Sequence, residues 1–264
     1  MDWSLADRPP RLARGTAVVP TTDGFLLVTP TEDFITVDVE PGRRDLVASL
    51  LSGELSPGAA VARDADAAGL LDALAAEGLL AGEEVEATTG PVVLLGDGVL
   101  VEHLGDLLDT VRTDDIGGAT LVVACADWLP DARWRGLDAD CAAAGIAWHR
   151  GYAEGGRWYA GPLSVPGAGP SYADLRLRRL AASPFPDQLL AYWAWLDAGG
   201  RPAGPPDPAG AAVAAGLIAA DVRAYLSGRP VPGERTQYGV DVHAGIVRRH
   251  PVLPVPRDVM VQTP

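Results

Sequence analysis

Glycine, aspartate and glycine at 96–98 follow the apolar run Val92-Val93-Leu94-Leu95 and precede a helical pattern. A backbone turn in that setting can approach a phosphate, with a helix N-terminus favouring the anion. A complete GxGxxG needs glycine at 101, where Val101 stands, and Asp97 places a negative charge in the turn. No acid on a following strand can be assigned to a ribose. The turn is therefore read two ways: as the site of a nucleotide-binding enzyme, or as a remnant.

Other chemistry is poorly provided for. No GxSxG nucleophile elbow occurs. His103, His149, His243 and His250 are scattered without metal-ligand spacing, so no metal site is expected. Cys125 and Cys141 lie apart in apolar surroundings and read as buried structural thiols. The paired acids Asp114-Asp115 and Glu83-Glu84 sit on polar loops and read as solvated. Tyr192-Trp193-Ala194-Trp195-Leu196 reads as a core-facing stripe with one exposed tryptophan, and Arg176, Arg178 and Arg179 as a solvated helix face.

The chain has 21 arginines and no lysine or asparagine. Without lysine there is no Walker lysine, Schiff base or kinase-type phosphate clamp. A net charge of −14 disfavours nucleic acid as a partner. Most of that charge is at the front, where residues 1–90 hold 16 acidic and 6 basic side chains. No signal-like N-terminus is read, and the near-apolar run 209–220 is shorter than the ~20 residues of a bilayer span. A cytoplasmic protein with no membrane association is expected.

The elements that would position these residues fall into two sets. Strands are predicted at 16–20, 25–29 and 34–39, the first two joined by Thr22-Asp23-Gly24. In the third, Phe34, Thr36 and Asp38 share one face and Ile35, Val37 and Val39 the other. Helices follow at 42–51, 57–62 and 66–77, the last with Leu70, Leu71 and Leu74 at helical spacing. This is a small winged-helix-like unit, and its acidity argues against a winged-helix transcription regulator. From Pro91 the rhythm becomes βαβαβ: strands at 92–95, 121–125 and 146–148, helices at 99–111 and 131–144. A strand at 157–163, helices at 171–182, 186–198 and 210–226, and strands at 236–242 and 244–248 complete the chain. The class is α/β: an α+β N-terminal domain, 1–88, then a doubly wound α/β domain, 89–264.

Two stretches carry a resemblance. Gly161-Pro162-Leu163-Ser164-Val165-Pro166-Gly167 resembles the GPLVVPG segment of ThiF-like proteins from thiazole/oxazole-modified peptide biosynthesis. Arg249-His250-Pro251-Val252-Leu253-Pro254-Val255-Pro256 resembles their RHPVLPLP. The segment Val92–Leu108 fits the first strand, turn and helix of that family, and the N-terminal unit looks like its PqqD-like precursor-recognition element. The resemblance covers nearly the whole chain. Many members hold a zinc with two CxxC pairs. Here the corresponding places read Ser171-Tyr172-Ala173-Asp174 and Asp258-Val259-Met260, which implies that the zinc is absent. The missing lysine implies that adenylation is lost too.

The resemblance thus implies a degenerate ThiF-like protein without cofactor or catalytic residues, a docking subunit rather than an enzyme. It would bind the leader of a ribosomal precursor peptide by strand addition and present it to a separate YcaO-type cyclodehydratase. The residues expected at the peptide are Phe34, Ile35, Thr36, Val37, Asp38, Leu70, Leu71 and Leu74. Replacing Val37 with proline is expected to abolish leader binding. A homodimer is left open.

Overall fold

The computed structural model describes residues 11–81 and 90–256. Glu83-Glu84, Asp258-Val259-Met260 and the 88/89 boundary lie outside the described residues. The chain divides into two compact units, Met1–Glu84 and Val85–Pro264.

In the first unit, β1 (Ala17–Pro20), β2 (Gly24–Val28) and β3 (Phe34–Asp38) form an antiparallel sheet in the order β1-β2-β3. Asp23-Gly24 makes the first reversal. A short 3-10 turn at Pro41–Arg43 leads into α1 (Arg44–Leu51), followed by α2 (Pro57–Arg63) and α3 (Ala67–Ala76). Proline opens α2 at its first position, behind a Ser56 hydroxyl that accepts the Ala59 amide. Phe25, Leu27, Val47, Leu51 and Leu74 are buried in one cluster between the sheet and the helices. Leu50, Leu55, Ala60, Ala67 and Leu71 form a second cluster among the helices alone.

The second unit is a three-layer α/β structure. Its sheet runs β10-β9-β8-β7-β6-β4-β5. The strands are β4 (Val92–Leu95), β5 (Val111–Arg112), β6 (Leu121–Ala126), β7 (Ala147–Glu154), β8 (Arg157–Ala160), β9 (Thr236–Asp241) and β10 (Ile246–Pro251). Those from β5 to β7 pair in parallel, and β8 to β10 continue antiparallel. One face is covered by α4 (Val99–Leu107) and α8 (Pro208–Leu226), the other by α5 (Asp131–Ala144), α6 (Tyr172–Ala182) and α7 (Pro186–Asp197). Of the five inner strands, β4, β6, β7 and β9 are buried over most of their length, as a sheet covered on both sides requires.

Some elements depart from the sequence expectation. The helix predicted over 99–111 ends at Leu107, and Val111 joins β5 beside Val93. The strand predicted at 146–148 runs on to Glu154, since His149 and Arg150 are polar but fully buried. Helix α8 has the length and apolarity of a membrane span. It is a core helix here: Ala211, Ala214, Ala215, Ile218 and Val222 are fully buried against the sheet, and Asp221 is buried within it.

The arginines on α6 also differ from a solvated face. Arg176 pairs with Asp131 at 3.0 Å, and Arg179 pairs with Glu154 and donates to the Tyr152 hydroxyl at 2.7 Å. Arg178 donates to the carbonyls of Leu253 and Pro254. The stripe on α7 behaves as expected, with Trp193 and Leu196 buried and Trp195 exposed. Cys125 and Cys141 are free and buried, on opposite faces of the sheet.

Candidate functional site

Two places deserve a chemical reading: the outer edge of β3, and the crevice beside the glycine turn.

Strand β3 has one neighbour, β2, in the register Phe25↔Val37 and Leu27↔Ile35. The flanking bonds Val39 N–H to Asp23 O (2.9 Å) and Thr29 N–H to Asp33 O (2.9 Å) fix the alternation of the ladder. The main chains of Ile35 and Val37 consequently bond to β2. Those of Phe34, Thr36 and Asp38 point to the open edge, which no described strand covers. Their side chains are exposed, Phe34 at 71%. Ile35 and Val37 turn inward and are half-buried against the cluster of Phe25, Leu27 and Leu74. Leu70 on α3 is half-buried against the same cluster.

Ile35, Val37 and Leu70 are thus each partly exposed at the rim of one apolar cluster, the first two on a strand whose other edge is unpaired. Leu74 lies beneath that rim, 3% exposed, as a supporting residue. Leu71 belongs elsewhere: it is fully buried among Leu50, Leu55 and Ala60. Val39 joins the rim as well and was legible as the next member of the Ile35, Val37 alternation. The geometry shows which bond proline at Val37 would remove. The substitution removes the amide that bonds Phe25 and so breaks the internal sheet, leaving the outward row of groups unaddressed.

The crevice lies where the sheet changes direction, since β5 and β6 flank β4 on opposite sides. Open α/β sheets bind ligands outside the carboxyl ends of the strands at such a point. It measures about 780 Å³ and is lined by residues including Asp97, Gly98, Asp127, Trp128, Asp197 and Arg201. Gly96 and Gly98 take positive φ values of 103° and 90°. The space that their missing side chains leave is already filled. A side chain at 96 would meet the Cys125 carbonyl, and one at 98 would meet the Asp127 carboxylate. Asp127 is held above the ordinary carboxyl range, first by desolvation and then by Asp97, with Glu102 adding to it and Arg201 opposing. A carboxylate thus occupies the place where a phosphate would approach Gly98, with like charges around it. A protein stabilised by nucleotide would gain roughly 2.7 kcal/mol at a hundredfold excess over Kd. ATP or NAD at about 1 mM is expected to move the melting temperature by less than about 1 °C. A rise of several degrees would restore the nucleotide-binding enzyme.

The zinc implied for relatives does not fit the residues present. Asp174 Oδ2 accepts both the amide and the hydroxyl of Ser171 at 2.8 Å, closing a capping box on α6. Its Oδ1 accepts the Val255 amide at 2.8 Å, and the Tyr172 hydroxyl donates to Asp131 at 2.8 Å. The donors are engaged oxygens where a thiolate set is needed. Hydrogen bonds from Val255 and Arg178 tie the C-terminal strap to α6 in that region.

Compared with known proteins, the chain matches no family model and no curated protein sequence. Solved structures do match. E. coli MccB superposes with a TM-score of 0.61 at 13% identity, over 94% of this chain and 95% of MccB. The heterocyclase TruD gives 0.69 at 14% identity, over 95% of this chain. A heterocyclase solved with substrate and cofactor gives 0.67 at 16% identity, over 94%. The fold is shared with MccB and TruD. It is of the α/β class that the sequence resemblance implied. The match takes in 42% of TruD and 38% of the other heterocyclase. MccB has been solved with ATP and with MccA.

Proposed function

We propose that this protein is a non-catalytic recruiting subunit of a peptide-modifying system. It binds the leader of a ribosomal precursor peptide and presents it to a separate YcaO-type cyclodehydratase, which forms azolines in the core. The three-strand, three-helix unit serves as the PqqD-like recognition element. The observation that carries this reading is the open edge of β3, with the main chains of Phe34, Thr36 and Asp38 facing outward and Ile35 and Val37 of the same strand half-buried at the rim of an apolar cluster. A guest strand added there gains backbone hydrogen bonds, while alternate side chains reach the apolar rim.

The comparisons support the setting. MccB has been solved with MccA, and a heterocyclase of this fold with its substrate. The match to under half of TruD supports a division of labour in which the chemistry belongs to another chain. The acid-filled glycine turn and the absence of lysine support loss of nucleotide chemistry here. On the described α3, the sequence AAGLLDALAA carries no basic side chain, which opposes a DNA-reading role.

The test is fluorescence anisotropy of a labelled leader from a precursor of the same gene cluster. Saturable binding by this protein alone, unchanged by ATP, zinc or a chelator, is the expected result. No binding with or without the cyclodehydratase would overturn the recruiting reading.

A further inference from the structure

The other end of the chain offers a second unpaired edge. Strand β10 closes the seven-stranded sheet, and no described strand lies beyond it. All six of its residues are exposed, with Ile246 and Val247 at 39% and 49%. The bond from Val252 N–H to Arg235 O (2.9 Å) sets the alternation, so that Ile246, Arg248 and His250 bond to β9. The main chains of Val247 and Arg249 face outward.

Natural sheets blunt such edges with charge, proline or cover, and Pro251 ends this one. Its charge is the opposite of what the molecule otherwise carries. Arg248 and Arg249 are consecutive cations on a chain of net charge −14. The nearest acid on the hairpin, Asp241, is paired with Arg157 at 3.0 Å. Arg249 is steadied by stacking over Tyr238 at 5.8 Å and by the Pro232 carbonyl, while Arg248 has no such anchor among the described residues. A second copy pairing here through a two-fold axis at Arg248 or Arg249 would set cation against cation.

We infer that β10 is the docking strand for the partner enzyme, which adds an acidic, extended segment as the eighth strand of the sheet. Main-chain bonds from Val247 and Arg249 set the alignment. Arg248 and Arg249 select acidic side chains, and Ile246 and Val247 supply the apolar contact. The inference rests on the recruiting role proposed above but concerns a different surface from β3.

The experiment measures binding of the full chain to the YcaO-type cyclodehydratase of the same gene cluster by titration calorimetry, with leader anisotropy in parallel. Arg248→Glu and Val247→Pro are the variants. The first reverses an exposed charge, and the second removes an outward amide on an edge strand that tolerates proline. Each is expected to weaken enzyme binding at least about tenfold, with leader affinity and melting temperature unchanged. Wild-type binding is also expected to weaken as salt rises. Enzyme binding unaffected by both variants, or absent in the wild type, would overturn the docking strand. A change in the chain's own oligomeric mass without a change in enzyme binding would assign β10 to a second copy, and overturn it too. Enzyme binding without leader binding would leave this inference standing and sink the recruiting role instead.

Discussion

Thr36→Pro is expected to lower leader affinity at least about tenfold while the protein stays folded. The Thr36 amide points away from β2, so proline there removes no bond of the native sheet. It does remove a donor from the outward row, worth about 1 kcal/mol or roughly fivefold in affinity. The ring also occupies space that a guest strand's backbone needs, which takes the loss further. Two controls make the result specific. Thr36→Ala keeps the amide and alters only an exposed side chain, and is expected to bind leader within about twofold of wild type. Val37→Pro, by contrast, breaks the bond to Phe25 and is expected to lower the melting temperature along with binding. Anisotropy and circular dichroism together separate the three. A Thr36→Pro protein that folds and binds normally would end the strand-addition mechanism.

The largest expected effect on stability is at Asp221. His149 Nδ1 lies 2.9 Å from the Arg150 amide nitrogen, and its Nε2 lies 3.1 Å from Asp221 Oδ2, a carboxylate oxygen that accepts. The second carboxylate oxygen accepts the Gly233 amide at 2.9 Å. His149 and Asp221 are essentially without solvent exposure. Asp221→Ala leaves two buried donors unsatisfied, each costing about 1–3 kcal/mol, and opens a void besides. The expected loss is roughly 3–5 kcal/mol, or a fall of about 10 °C or more in the melting temperature. Asp221→Asn retains an acceptor for one donor and is expected to lose less. Calorimetry that found the alanine variant as stable as wild type would show that this network adds nothing to the fold.

Local signals made much of the architecture legible. Pro130 before Asp131 and Gly145 after Ala144 bracket α5 as read, with Gly145 in the left-handed region at φ 69°. The alternation in Phe34–Asp38 gave the two faces of β3, because a half-buried edge strand keeps a clean period of two. What sequence could not yield was the pairing of residues far apart in the chain. His149 and Arg150 looked like a strand's end because their partners, Asp221 and Ser164, are distant along the chain. The arginines of α6 looked solvated for the same reason, their acceptors being Asp131, Glu154 and the C-terminal strap. At the candidate site, Leu70, Leu71 and Leu74 share one helical stripe, and only the packing shows that Leu71 serves a different cluster. The direction of each β3 amide likewise waited on the β2 register.

The outward groups of Phe34, Thr36 and Asp38 recur at every second residue, a repeat of about 6.8 Å. A guest that slips along β3 by two residues keeps the same ladder geometry and the same face toward the rim. A slip of one residue turns every side chain over. The edge therefore fixes the parity of a bound peptide more firmly than its position. A leader added there as proposed would keep its ladder only on shifting by two residues at a time, so any sliding along this edge would advance the peptide in two-residue steps.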